Sequence, residues 1–210
     1  NIIVVGSGVD PKSITGGHGE RFRQRKCLDG PIVFYIGVHA YDKGTVHLIE
    51  AMRLLWERGS NANLVLAGAH FPGFGGYLDS LPQETRDRCL LLGRVDEEEK
   101  RDLLAAGDVF VMPSRTDSFG MVYLEAWLYQ KPVIGAIAGG VPDVITHGED
   151  GLLVPFGNVA ELAKAIERLL QEKDLAKRLG QAGYEKTMAR HTWDHKYAQV
   201  REVYEELARS

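Results

Sequence analysis

Cysteine is almost missing from this 210-residue sequence, and neither Cys27 nor Cys89 sits at a redox or zinc spacing. That excludes a disulfide framework and leads us to expect a reducing, cytoplasmic setting. No apolar run approaches the roughly 18 residues of a membrane-spanning helix, and the opening "NIIVVGSGVD" lacks the order of a signal peptide. The first residue is Asn rather than Met, so we expect a piece of a longer protein. Basic residues are not in excess: 25 Lys and Arg face 29 Asp and Glu, for a net charge of −4. Nucleic acid is therefore not expected as a partner, since phosphate backbones call for concentrated cations. No P-loop, no His-Glu pair at zinc spacing and no nucleophile elbow occurs. The "GSGVD" at 6–10 is a broken dinucleotide fingerprint, with no third glycine and no expected helix after it.

What is present is a regular alternation. Hydrophobic residues make up 44% of the chain, ample for the core of one generous domain. Short apolar runs, "PIVFYIG" (31–37), "NLVLAG" (63–68), "CLLLG" (89–93), "DVFVMPS" (108–114), "KPVIGA" (131–136) and "GLLVP" (151–155), alternate with helical patterns. In 45–59, Val46, Ile49, Met52, Leu55 and Trp56 form a helical stripe, and 96–107 opens with acids, where a helix dipole favours them. Strands apolar on both faces, each followed by a helix, describe an α/β fold with a doubly wound, Rossmann-like parallel sheet. From 157 to 210 the helices follow one another without strands, so a helical C-terminal extension is expected. Residues 1–30 read as a linker-proximal segment, of which the polar, Gly-rich 15–30 is expected to be a mobile loop.

In an open parallel sheet, ligands bind beyond the carboxyl ends of the strands. Five loops fall there, at 37–44, 68–76, 93–99, 114–120 and 136–143, nearly all containing glycine, which lets a ligand approach the backbone. Lys43 is the clearest cation, a point charge suited to phosphate; a solvated surface lysine is the plainer alternative. Phe119, Gly120 and Met121 stand where a helix begins and its first N–H groups lack partners, unless Asp117 or Ser118 caps them. Glu125 lies four residues after Met121, hence on the same helical face and about 6 Å deeper. Its neighbours Leu124, Ala126, Trp127 and Leu128 are apolar, and a carboxylate in such company needs a partner. Two acceptor oxygens suit the diol of a ribose. Among the seven histidines, His39 is singled out by its place in a site loop, while His191 and His195 are expected on the surface of the tail helices.

Taken together, Lys43-Gly44, "SFGMVYLEA" (118–126) and "GGVPDVITHGEDGLLV" (139–154) resemble the C-terminal, donor-binding domain of retaining glycosyltransferases of the GT-B fold. The resemblance runs from "GVD" (8–10) to "YEEL" (204–207), and its most specific element is an acid followed by seven residues and a Glu, with Phe-Gly just after the first acid. It implies that Lys43 contacts the donor diphosphate, that Glu125 binds the ribose, and that Asp117 contacts hydroxyls of the transferred sugar. Gly37, Ser118, Phe119, Gly120 and Met121 would line the phosphates and sugar, and Arg94 and Val95 the base. Two positions depart from the family. Val38 stands where an Arg often follows Gly37, a loss that a protonated His39 offsets in part. Asp117 is one methylene shorter than the usual Glu.

The implied activity is metal-independent transfer, with retention, of a hexosyl-type sugar from a nucleotide diphosphate sugar to a glycan, lipid or small-molecule acceptor. No cofactor is implied. The implied partners are the nucleotide-sugar donor and the protein's own N-terminal acceptor-binding domain, absent from this chain. Peripheral membrane association of the full-length protein is compatible with this reading. Two alternatives stay open: a nucleotide-sugar epimerase on the same scaffold, and a degenerate, non-catalytic nucleotide-sugar-binding module.

Overall fold

The computed structural model describes residues 5–209. Residues 1–4 of the linker-proximal segment and residue 210 of the extension lie outside them. Two short helices come first, α1 (Pro11–Ile14) and α2 (Gly19–Lys26). The alternating part follows as β1 (Ile32–Ile36), α3 (Thr45–Glu57), β2 (Asn63–Ala67), α4 (Phe74–Ser80), α5 (Gln83–Asp87), β3 (Cys89–Gly93) and α6 (Glu97–Ala106). It continues as β4 (Val109–Met112), α7 (Met121–Leu128), β5 (Val133–Ala136), α8 (Val141–Val144) and β6 (Leu152–Val154). Three helices end it, α9 (Val159–Gln171), α10 (Lys173–Arg190) and α11 (Trp193–Arg209).

The strands pair in the order β3-β2-β1-β4-β5-β6, and all of the pairings are parallel. The order reverses between β1 and β4, the point in a doubly wound sheet where a ligand crevice opens. Sequence explains the order in part. "IVFYI" and "VFVM" are buried along their whole length, as central strands covered on both faces require. The expectation of two covered faces fails for β3. Only Cys89 is buried there and Leu91 is exposed, because β3 is an edge strand.

The expected mobile loop at 15–30 is instead an ordered helix docked on α6. Phe22 is fully buried, and the buried carboxylate of Asp102 accepts from Arg21 Nε at 2.8 Å, Arg21 Nη2 at 2.9 Å and the His18 amide at 2.7 Å. Arg23 reaches Asp108 at 2.7 Å, and Arg25 and Lys26 reach Glu99 at 3.0 and 2.9 Å. The segment reads as a solvated loop because its charges answer acids on a distant helix. The helix excluded after "GSGVD" also exists, as the single turn α1, with Asp10 accepting from the Lys12 amide at 3.0 Å. One turn without a third glycine does not restore the fingerprint.

The extension folds back on the domain. Trp127 of α7 is fully buried against Gly183 of α10, and its indole donates to the Asp150 carbonyl at 3.0 Å. Among the described residues, no helix is long and apolar enough to cross a membrane.

Removing the Asp102 carboxylate leaves Arg21 and the His18 amide without their acceptor. Asp102→Ala is expected to lower unfolding free energy by about 3 kcal/mol and to open 15–30 to proteolysis. Urea denaturation that moves by less than about 1 kcal/mol would show that this anchor is dispensable.

Candidate functional site

Two loops 74 positions apart meet above the β1/β4 gap, and their meeting is set by backbone contacts. Gly44 takes a left-handed conformation (φ 77°) and lies so close to the Pro113 carbonyl that no side chain fits between them. Beside it the Asp42 carbonyl accepts from the Arg115 amide at 3.0 Å and the Ser114 hydroxyl at 3.3 Å, and the Asp42 carboxylate pairs with Arg115 at 2.6 Å. Lys43 rides on a single 3-10 turn over Tyr41–Lys43 and reaches Asp117 Oδ1 at 3.0 Å. The other carboxylate oxygen of Asp117 is buried and has no partner among the described residues.

The start of α7 carries no side-chain cap, so neither Asp117 nor Ser118 takes the amides that open the helix. Gly120 is its N-cap in the left-handed region (φ 74°), and a Cβ there would lie 2.5 Å from the Tyr123 ring. Tyr123 is fully buried and its hydroxyl donates to the Met112 carbonyl, which fixes the helix mouth over the end of β4. Phe119 and Met121 are half-buried at that mouth, and Ser118 is exposed beside it. From the other side, the Asp117 carbonyl accepts from the Gly140 amide at 2.8 Å, so the 136–143 loop supports the acid-bearing loop.

Glu125 stands one turn into α7, its side chain 13% exposed. Its partner is Lys100 of α6, at 3.3 Å from Oε1, and Lys100 also reaches Glu97 at 3.1 Å. Oε2 of Glu125 is buried with no partner among the described residues. Burial raises its pKa, and the nearby Lys100 opposes this without cancelling it. Arg94, exposed, and Val95, half-buried, form the turn that leads into α6.

His39 sits beside Gly37 on an extension of β1. It exchanges backbone hydrogen bonds with the loop after β2, its amide donating to Ala69 at 2.8 Å and its carbonyl accepting from Phe71 at 2.9 Å. Its Nδ1 lies 3.0 Å from Nδ1 of His70, and its Nε2 is buried without a partner among the described residues. Burial, aided by His70, pushes the His39 pKa down to about 4, so its ring is neutral near pH 7. A neutral ring supplies no full charge in place of an arginine at Val38. A cleft of about 740 Å³ opens between these two loops, lined by Val38, Tyr41, Phe71 and Phe74, with Lys43 and Thr116 among its polar members.

The structure thus joins Lys43 to Asp117 directly and places the α7 mouth and Glu125 on the same helix. Sequence reasoning missed Lys100, which looks like an ordinary member of "DEEEKR" because its partner is on another helix. It also missed His70, although "GAHFPGFGG" was singled out as a site loop. His191 is corrected too. It is half-buried, with its ring 5.7 Å from that of Phe119.

A six-stranded, doubly wound parallel sheet with a helical C-terminal end is the fold of the C-terminal domain of GT-B glycosyltransferases, and comparison bears out that class. The chain belongs to the glycosyl transferases group 1 family, whose sequence pattern matches residues 19–186. It is 30% identical over 188 residues to alpha-D-kanosaminyltransferase of Streptomyces kanamyceticus, covering 88% of this chain and 48% of that protein. Among solved structures it resembles sucrose-phosphate synthase of Thermosynechococcus elongatus, with a TM-score of 0.82 and 30% identity over 98% of this chain and 53% of the other. It shares its fold with HepE of Anabaena in complex with UDP-glucose, with a TM-score of 0.85 and 24% identity, covering 97% of this chain and 57% of that one. The chain spans about half the length of these proteins.

A histidine kept neutral by burial makes stability depend on acid. The pKa of His39 in the folded protein, about 4, lies below the roughly 6.5 of an unfolded chain. Its contribution is therefore fully present above about pH 6.5 and is lost as the pH falls towards 4. His191, held at about 4 by burial and neighbouring cations, adds to the same window. Stability should drop by up to about 1.4 kcal/mol per pH unit per histidine there. His39→Asn should flatten that slope in chemical denaturation; an unchanged slope would show that His39 does not carry it.

Proposed function

We propose that this chain is the donor-binding half of a retaining, metal-independent glycosyltransferase. It would transfer a hexosyl-type sugar from a nucleotide diphosphate sugar to a glycan, lipid or small-molecule acceptor. The observation that carries the proposal is a shared arrangement at the two acids. Asp117 and Glu125 each keep one oxygen on a lysine and hold the other buried and unpartnered among the described residues. An unmatched buried acceptor is costly, and sugar hydroxyls are donors of the right chemistry for both.

In this reading the free oxygen of Glu125 takes the ribose and that of Asp117 takes hydroxyls of the transferred sugar. The diphosphate lies between them, against Lys43 and the uncapped start of α7. An ammonium has three donors, so Lys43 can hold a phosphoryl oxygen without leaving Asp117. As the sugar–phosphate bond breaks, negative charge grows on the departing diphosphate, where Lys43 and the helix mouth are already in place. The opposite charge grows on the sugar ring, beside Asp117. Arg94 and Val95 border the base, Gly37 and His39 flank the phosphate path, and Ser118 lies beside the sugar. The acceptor would bind mainly to an N-terminal domain of the full-length protein, so this chain alone should bind nucleotide and transfer poorly. The UDP-glucose complex of HepE makes a uridine nucleotide the first donor to try.

Calorimetric titration of the chain with UDP, GDP and ADP tests the proposal directly. The preferred diphosphate should lose about 1–3 kcal/mol of affinity in Glu125→Ala. Lys43→Ala should weaken the diphosphate far more than the free nucleoside. Equal losses for both ligands would remove Lys43 from the phosphate site, and unchanged affinity in a folded Glu125→Ala would remove Glu125 from the ribose.

A further inference from the structure

Three large apolar side chains stand exposed around one opening in the rim: Val38 at 44%, Tyr41 at 57% and Phe71 at 60%. They border the cleft of about 740 Å³ between the loops that follow β1 and β2. Its floor is a packed aromatic row. The Phe74 side chain is buried, its ring stacked on that of His70 at 5.5 Å, 5.2 Å from His39 and 6.0 Å from Tyr77. The backbone bonds between His39 and the loop after β2 tie the two walls together. Exposed apolar groups gathered in a cavity of ordinary ligand size mark a binding site, where single ones scattered over a surface would not.

Two of the polar side chains in the wall are engaged elsewhere. The Asp42 carboxylate holds Arg115 at 2.6 Å, and the Tyr77 hydroxyl donates at 2.8 Å to Glu50, whose other oxygen holds Arg53 at 2.7 Å. What the wall offers a ligand is the spare donors of Lys43 and the hydroxyls of Thr116 and Tyr41. Lys43 and Thr116 stand at the end of the cleft that adjoins Asp117, which Lys43 reaches at 3.0 Å. A sugar entering here would give up water on most of its hydroxyls and find few partners, at a cost for each group left unmet. An aryl or alkyl body has no such groups to leave unmet and is stabilised by leaving water.

We propose that this cleft receives the apolar body of the acceptor, an aryl or alkyl group whose hydroxyl points towards Lys43 and Asp117. The proposal rests on the donor reading above and narrows the acceptor to an alcohol or phenol with an apolar body. Continuity decides the occupant. Lys43 lines the cleft and also holds Asp117, so whatever fills the cleft abuts the place of the transferred sugar. The acceptor is the substrate that has to lie there. The remainder of the acceptor is left to the N-terminal domain.

Titrating the 210-residue chain with 2-naphthol, 1-hexanol and glucose, following the methyl resonances of Val38 and Val46 by NMR, tests this. UDP, GDP and ADP are titrated in parallel. At least one of the two apolar alcohols should bind saturably with a Kd of about 1 mM or tighter, and glucose should not. Tighter 2-naphthol would assign an aryl body, and tighter 1-hexanol an alkyl one. Phe71→Asp and Val38→Asp, both at exposed positions, should each weaken binding by about tenfold or more, read at Val46. Tyr204→Asp, on the exposed face of α11, should leave it in place. The proposal falls if neither alcohol shifts Val46 saturably, if glucose binds as tightly, or if binding survives both wall substitutions. It falls too if the full-length protein loses the response, since its own N-terminal half would then fill the cleft. A chain that binds a nucleoside diphosphate and neither alcohol keeps the donor reading without this acceptor. One that binds an alcohol and no nucleoside diphosphate overturns both.

Discussion

The contact between Lys43 and Asp117 spans the line where the sheet reverses its winding. It depends on β1 and β4 being neighbours although 72 residues, four α-helices and two strands separate the end of one from the start of the other. Both strands are buried along their whole length. They deliver their loops to one rim, and the loops bring the charge. Gly44 against Pro113 and Asp42 against Arg115 then close the distance between the two loops. Without those backbone contacts the lysine would be an ordinary cation in water and the aspartate a candidate cap.

The two acids share one design in different surroundings. Each is paired with a lysine from a separate part of the fold, Asp117 with Lys43 and Glu125 with Lys100. Each pair leaves a carboxylate oxygen buried and unmet among the described residues. For Glu125 burial outweighs the lysine, and its pKa stays raised. A fully neutralised pair would have no use for a ligand, and a bare acid would be costly in that position. Half-satisfied carboxylates keep their charge balanced while retaining the capacity to accept hydroxyl donors.

The remainder of the chain holds this rim still. Helix α2 fastens its arginines to Asp102 and Asp108 beneath α6, the helix that carries Lys100. Helix α10 presses on α7 through Trp127 and Gly183. The linker glycines, Phe119 and the turn before α11 form a joint at the mouth of α7.

Strand and helix identity, the α/β class, the helical extension and the family were legible in the sequence because they rest on local patterns. Hydrophobic period and length mark the strands, and an acid, seven residues and a Glu, with Phe-Gly after the acid, mark the resemblance to the family. Lys43, Asp117 and Glu125 could be proposed for the same reason, since their signal lies in the loops and helix start that carry them. What local pattern could not show was partnership. Lys100 with Glu125, Arg21 with Asp102 and His39 with His70 are facts about chain segments that meet only after folding. A polar segment such as 15–30 reads alike whether its charges face water or a neighbouring helix. Only the tertiary structure decides which, because electrostatic and desolvation energies depend on distance in space and not on separation along the chain.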